Sequence, residues 1–127
     1  MPHLTVHILE SDLTGREPAL ITGLTEAVVA VYGEWVRGHV DVRLIGLPPH
    51  RWGVGGVPAA SPAPSVTFGI REAVFARPDG AEVVARLVTG ITDAIAGTVG
   101  EHVRPGVAIE FAGQRPGRMA VGGVIVE

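Results

Sequence analysis

The feature that most limits how this chain folds is that it repeats itself. Leu20-Ile21-Thr22-Gly23-Leu24-Thr25-Glu26-Ala27-Val28 aligns with Leu87-Val88-Thr89-Gly90-Ile91-Thr92-Asp93-Ala94-Ile95, and Gly33 then aligns with Gly100. Val40-Asp41-Val42-Arg43-Leu44 aligns with Val107-Ala108-Ile109-Glu110-Phe111, and Gly53-Val54-Gly55-Gly56 with Ala120-Val121-Gly122-Gly123, all at a spacing of 87 − 20 = 67. Residues 2–10 are echoed by 64–72 at a spacing of 64 − 2 = 62, so the second half carries 67 − 62 = 5 extra residues before its helix, in the segment 71–80. A period this short means fused units that bury a shared core.

Each unit reads as strand-helix-strand. Leu4, Val6 and Ile8 alternate with Thr5 and His7, the signature of a strand with one apolar face. Pro18 suits the first turn of a helix whose stripe is Leu20, Ile21, Leu24, Ala27, Val28 and Val31, with Gly33 as its stop. Leu87, Val88, Ile91, Ala94 and Ile95 repeat that stripe ahead of Gly100. Val40, Val42 and Leu44 alternate as a second strand, as do Val107, Ile109 and Phe111. A right-handed crossover makes the two strands of each unit parallel. The expected fold is α/β of the α+β kind: two fused β-α-β units, a four-stranded mixed sheet, and two helices on one face. The chain is expected to form one domain over 1–127, with repeats at about 1–57 and 64–127 and a stiff, proline-rich linker at 58–63. Asp41, Arg43, Ala108 and Glu110 point to the sheet face away from the helices. Gly53-Val54-Gly55-Gly56 reads as a hairpin turn, since no helix follows it to make a phosphate loop.

The repeat also isolates one chemical group. Removing Met1, which a small second residue permits, leaves Pro2 with a free secondary amine, whereas Pro64 is locked in a peptide bond. Only Pro2 can serve as a base. An α-amino group titrates at about 7.7–8.0, and desolvation or nearby cations lower that value toward neutrality, where a general base works best.

Composition excludes several other classes. Among 127 residues there is no cysteine, hence no disulfide or thiolate metal site. His3, His7, His39, His50 and His102 show no paired metal-ligand spacing; His50 stands nearest the expected pocket. A net charge of −3 with ten Lys plus Arg and no basic cluster is no footprint for nucleic acid. Apolar runs stop well short of the roughly 20 residues of a membrane span. With no basic, apolar-cored leader, the cytoplasm is the expected compartment. A mean hydropathy of +0.36 is high for a small domain and suggests apolar surface covered by partner subunits.

A proline exposed by loss of Met1, a β-α-β unit, Val42-Arg43-Leu44 on the second strand and Trp52 ahead of Gly53-Val54-Gly55-Gly56, the set repeated in order, together resemble the tautomerase superfamily, in particular a fused 4-oxalocrotonate tautomerase with its MIF-like fold. The resemblance implies a homotrimer with active sites near the N-terminal prolines and contributions from neighbouring subunits. It implies Pro2 as the catalytic residue, Arg43 as the cation that binds a substrate carboxylate, and Trp52 as an aromatic wall. Arg71 and Arg77 lie where fused relatives place further substrate-binding arginines. The second half departs from the pattern, with Glu110 and Met119 at the corresponding positions, and Asp12 stands where a second arginine is expected after the first strand.

The activity this implies is a cofactor-independent isomerase, with no metal, moving a proton in a small carboxylate-bearing keto or enol substrate. Trp52 would desolvate the amine, and arginines would hold the carboxylate and steady developing enolate charge. Two alternatives stand beside it. One is a dehalogenase-like or hydratase-like enzyme in which an acid, from among Glu110, Asp12 and Glu127, activates water while protonated Pro2 donates. The other is a non-catalytic trimeric binding protein that retains Met1. Structural roles compete residue by residue: Arg43 in an ion pair, Trp52 in an interface, and Arg71 and Arg77 in a solvated loop beside Glu72 and Asp79.

Overall fold

The computed structural model describes residues 2–127. β1 (His3–Leu9) buries Leu4, Val6 and Ile8 and leaves the alternate residues half-buried, as its period-two pattern requires. A short α1 (Glu10–Leu13), α2 (Glu17–Tyr32), β2 (Asp41–Leu47) and a hairpin of β3 (Gly53–Val54) and β4 (Val57–Pro58) complete the first half. The second half runs β5 (Ser65–Arg71), α3 (Ala73–Ala76), α4 (Gly80–Val99), β6 (Ala108–Gln114) and a hairpin of β7 (Met119–Val121) and β8 (Val124–Val126). A six-residue 3-10 helix, Glu34–His39 or Glu101–Gly106, links each long helix to the strand that follows.

The sheet has the order β2-β1-β5-β6. β1 with β2 and β5 with β6 are parallel, and the central β1–β5 pair is antiparallel. Thr5 lies opposite Thr67, and 5 + 62 = 67, so that pair sits on the axis relating the halves. Both long helices pack their apolar stripes onto one core with the sheet, where Leu20, Leu24, Val28, Leu87, Ile91 and Ile95 are buried. Each fully buried Leu or Ile contributes about 1.5–3 kcal/mol over an exposed one. The helices cross where the repeat keeps its small residues. A Cβ on Gly23 would lie 3.5 Å from Ala94 Cβ, and one on Gly90 would lie 3.3 Å from Ala27 Cβ. Ile21 and Val88, expected within the stripes, flank them instead and are exposed, and they are equivalent positions of the repeat.

Two segments differ from expectation. The five extra residues do not make a loop. α3 stands where α1 stands in the first half, and α4 has 20 residues to the 16 of α2, so most of the insertion is a further turn, Gly80 to Val83, at the start of α4. Burial of Val83, one turn before Leu87, rewards that turn. The segment expected to be linker begins inside the first hairpin, because Pro58 pairs with Gly53. Among the described residues, no helix is long and apolar enough to cross a membrane.

The α3–α4 junction is tight at Gly80, where an added Cβ would come within 2.6 Å of the Val74 carbonyl oxygen. Gly80→Ala is therefore expected to destabilise the fold by roughly 1–3 kcal/mol through overpacking. Gly97, on the same helix with no atom within 4 Å of an added Cβ, supplies the control: Gly97→Ala should raise stability by about 0.5–1 kcal/mol. Urea unfolding of the two variants measures both.

Candidate active site

Antiparallel pairing of β1 with β5 sets the start of one strand beside the end of the other. His3 is opposite Gly69, and one step further along the same register brings Pro2 against Ile70. The Pro2 carbonyl accepts a hydrogen bond from Asp41 N at 3.1 Å, which fixes the residue just before β1 against the start of β2. Beside Pro2 opens a cavity of about 450 Å³ lined by Pro2, Tyr32, Trp35, Val36, His39, Ile70, Arg71, Val74 and Arg77.

The far wall is built by the end of α2. Gly33 at φ 102° halts that helix, its N–H donating to Val29 O at 2.7 Å, and turns the chain into the 3-10 helix that carries Trp35, Val36 and His39. Trp35 Nε1 donates to Tyr32 O at 2.6 Å, and the Tyr32 and Trp35 rings meet edge to face with centroids 6.4 Å apart. Arg37 pins the segment in place by donating to Glu34 Oε1 at 2.6 Å and to Glu26 on α2. Those hydrogen bonds hold the Glu26 and Glu34 carboxyls below the ordinary carboxylate range. Burial pushes the Tyr32 phenol up, with the nearby Arg77 acting in the opposite direction and Asp79 in the same one, so Tyr32 is a neutral donor at pH 7.

The two arginines of the cavity differ. Arg77 is held in a fork by Asp79, with Nε to Oδ1 at 2.9 Å and Nη2 to Oδ2 at 2.8 Å. Arg71, exposed at the end of β5, has no ion-pair partner among the described residues. Of the residues singled out in the sequence, Pro2, Arg71 and Arg77 meet in this cavity, and Arg43 and Trp52 do not line it. Arg43 lies on the exposed face of β2 and pairs with Asp41 at 3.0 Å. Trp52 sits at the foot of the first hairpin, where its carbonyl accepts from Ala59 N at 2.7 Å. His50 is exposed on the 3-10 helix Pro49–Arg51, and the histidine that reaches the cavity is His39. Glu127 lines a smaller adjoining cavity of about 110 Å³ that shares Arg71, while Asp12 and Glu110 line neither. Among the described residues, no three His, Cys, Asp or Glu side chains are grouped to hold a metal ion.

Tyr32, Trp35 and His39 were not singled out in the sequence, yet they carry a signal there. They are places where the repeat departs from itself. Gly33, Glu34, Val36 and Arg37 recur as Gly100, Glu101, Val103 and Arg104, whereas Tyr32, Trp35 and His39 face Val99, His102 and Gly106. At the equivalent junction beside Pro64 the positions corresponding to Arg71, Tyr32 and His39 are apolar or small. Leu9 stands where Arg71 would be and is buried, as are Val99 and Val103. Ala63, joined to Pro64, sits so close that a Cβ on Gly106 would be 2.8 Å from its own Cβ.

No protein-family model matches the sequence, nor does any curated protein. Solved structures do match. A wild-type fused 4-OT called F6, solved as an asymmetric trimer, is 22% identical, covers 97% of this chain and 94% of its own, and superposes with a TM-score of 0.81. The fold is that of the fused 4-OT proteins of the tautomerase superfamily. Pt0534, solved after inactivation by 2-oxo-3-pentynoate, shares the fused 4-OT fold at 18% identity, with 98% of this chain and 94% of its own covered and a TM-score of 0.80. N1, a member of the cis-3-chloroacrylic acid dehalogenase family, is 15% identical, covers 98% of this chain and 83% of its own, and has a TM-score of 0.71.

The Arg37 clamp gives the cavity wall a pH dependence of definite sign. Carboxyls with lowered pKa values stabilise the fold above the ordinary carboxylate range and lose that contribution as pH falls through the lowered values. In a Trp52→Phe background, Arg37→Ala should lower the fluorescence anisotropy of Trp35 by loosening its segment, and acidification below about pH 4 should do the same. Arg104→Ala, which removes the equivalent clamp on Asp93 and Glu101, should leave the Trp35 anisotropy unchanged.

Proposed function

We propose that this protein is a cofactor-independent tautomerase in which the Pro2 amine is the general base for a 1,3-proton transfer in a small carboxylated keto-enol substrate. The observation that carries the reading is the contrast between the two junctions. At Pro2 there is a cavity lined by a neutral phenol and by a cation without an ion-pair partner among the described residues; at Pro64 the equivalent positions are the buried Leu9 and Val99, and Ala63 crowds Gly106. Removal of Met1, on which the free amine depends, lies outside the described residues.

In this mechanism Arg71 takes the substrate carboxylate, with Arg77 beside it, and Tyr32 donates to the oxygen at carbon 2. Pro2 removes the enol proton, the enolate charge is steadied by Arg71 and Tyr32, and the same amine returns the proton to carbon 3. Nothing is added or lost, so the product is an isomer. Ile70 and Val74 keep water from the amine, which favours its neutral form.

Three chains are proposed to assemble around these sites, as the fused 4-OT neighbours do. The hairpins present Val54, Val57, Val121, Val124 and Ile125 to solvent in the single chain, apolar surface of the kind that a partner covers. Arg43 and Trp52 of one chain, outside its own cavity, would then serve a neighbour's. A dehalogenase-like or hydratase-like reading has one observation in its favour, the carboxylate of Glu127 in the cavity that shares Arg71 with the Pro2 site.

Pro2→Ala should lower kcat/KM on phenylenolpyruvate by roughly 10²-fold or more, the typical contribution of a positioned base, while Pro64→Ala should change it little. 2-Oxo-3-pentynoate, which inactivates Pt0534, should label the processed protein at Pro2, the amine adding to the alkyne carbon with its proton passing to the neighbouring carbon. A form that retains Met1 should be neither labelled nor active. Equal turnover by processed and Met1-retaining protein would overturn the mechanism. Light scattering should report three times the 13.2 kDa chain, and chloride release from 3-chloroacrylate without isomerase activity would favour the second reading.

A further inference from the structure

The candidate cations of this site are unequal because two of them bring their own carboxylate. Arg77 is forked onto Asp79 and Arg43 is bonded to Asp41, so each of those pairs is neutral as a unit. Among the described residues, Arg71 is the arginine of the cavity that has no ion-pair partner. The remaining wall is aromatic and aliphatic, formed by Tyr32, Trp35, Val36, Ile70 and Val74.

Asp79 stands at the N-cap of α4, a position where an aspartate carboxylate ordinarily accepts from the first backbone N–H groups of its helix. Here it makes no such bond. Only its backbone carbonyl serves the helix, accepting from Val83 N at 2.9 Å, and both carboxylate oxygens are given to Arg77. The acid has been diverted from the helix end to a cation of the cavity wall.

We infer that Asp79 is a specificity-determining residue that cancels the charge of Arg77, so that the site selects monocarboxylates with an apolar or aryl end over dicarboxylates. This deepens the tautomerase reading and rests on it for turnover. A monoacid needs one cation for its carboxylate, which Arg71 supplies, and places its other end on Trp35, Tyr32 and Val74. A diacid needs a second cation. At Arg77 its far carboxylate must displace Asp79, exchanging one ion pair for another and leaving two carboxylates in close approach.

The test is binding of unreactive probes by calorimetry, 3-phenylpropanoate against adipate, in the processed protein and in Asp79→Asn. Asparagine keeps the size of the side chain and the backbone carbonyl that serves Val83, and circular dichroism confirms that the fold is retained. The processed protein should favour 3-phenylpropanoate, and Asp79→Asn should tighten adipate about tenfold while changing 3-phenylpropanoate much less. The double variant Arg77→Gln/Asp79→Asn should lose the gain, because the gain acts through Arg77. The same shift should appear in kcat/KM for 2-hydroxymuconate relative to phenylenolpyruvate. A processed protein that prefers adipate, or an Asp79→Asn variant whose ratio is unchanged, overturns the inference. Charge selection in binding without turnover of either enol upholds the inference and overturns the isomerase mechanism instead.

Discussion

Everything placed around Pro2 depends on the antiparallel pairing of β1 with β5. Each half alone is a parallel β-α-β unit in which strand starts lie beside starts and strand ends beside ends. Joining two such units through their first strands, centred on Thr5 and Thr67, sets the beginning of each strand beside the end of its mate. One junction thereby sets Pro2 beside Ile70 and Arg71, and the other sets Pro64 beside Ile8 and Leu9. The helices lock the arrangement by crossing at Gly23 with Ala94 and at Ala27 with Gly90, pairs that exchange under the same axis. Larger side chains there would drive the helices apart and open the core beneath them.

The frame is symmetric, and the site is made of the exceptions to it. Both halves keep the glycine that stops the long helix, the buried valine of the 3-10 segment and the arginine that ties that segment to two acids. Those shared parts hold the backbone in the same course in both halves. What differs is what projects from it: Tyr32 against Val99, Trp35 against His102, His39 against Gly106, and Arg71 against Leu9. Four differences on a common scaffold separate the junction that lines the cavity from the one that does not share its cation, phenol and indole.

Much of the frame was legible in the chain because it rests on local rules. Alternation of Leu4, Val6 and Ile8 marks a strand whatever surrounds it, and Gly33 and Gly100 mark helix ends because few other residues tolerate that backbone turn. The folded character of 71–80 was not legible, since the turn from Gly80 to Val83 is stabilised by burial of Val83 against a core that exists only in three dimensions. Arg71 and Arg77 were found through likeness to fused relatives, and the register of β5 against β1 explains how Arg71 comes to flank Pro2. Arg43 and Trp52 belong to the other edge of the same chain's sheet, so their bearing on any cavity depends on packing between chains. Tyr32, Trp35 and His39 were not legible because likeness between the repeats carries no information at the positions where they disagree.

The closeness of the chain ends has a consequence for connectivity. Pro2 and Glu127 line adjoining cavities that share Arg71, so residues 2 and 127 meet at one corner of the sheet, while Ala63 and Pro64 occupy the opposite corner. A circular permutant that joins 127 to 2 through a short bridge and opens the chain before Pro64 would keep every strand pairing. Under the proposed mechanism it would hand the free amine to Pro64 and take it from Pro2. The new terminus would face Leu9, Val99 and Gly106 in place of Arg71, Tyr32 and His39. Chain topology would then decide which corner is offered a terminal nitrogen, and side chains whether that corner has anywhere to use it.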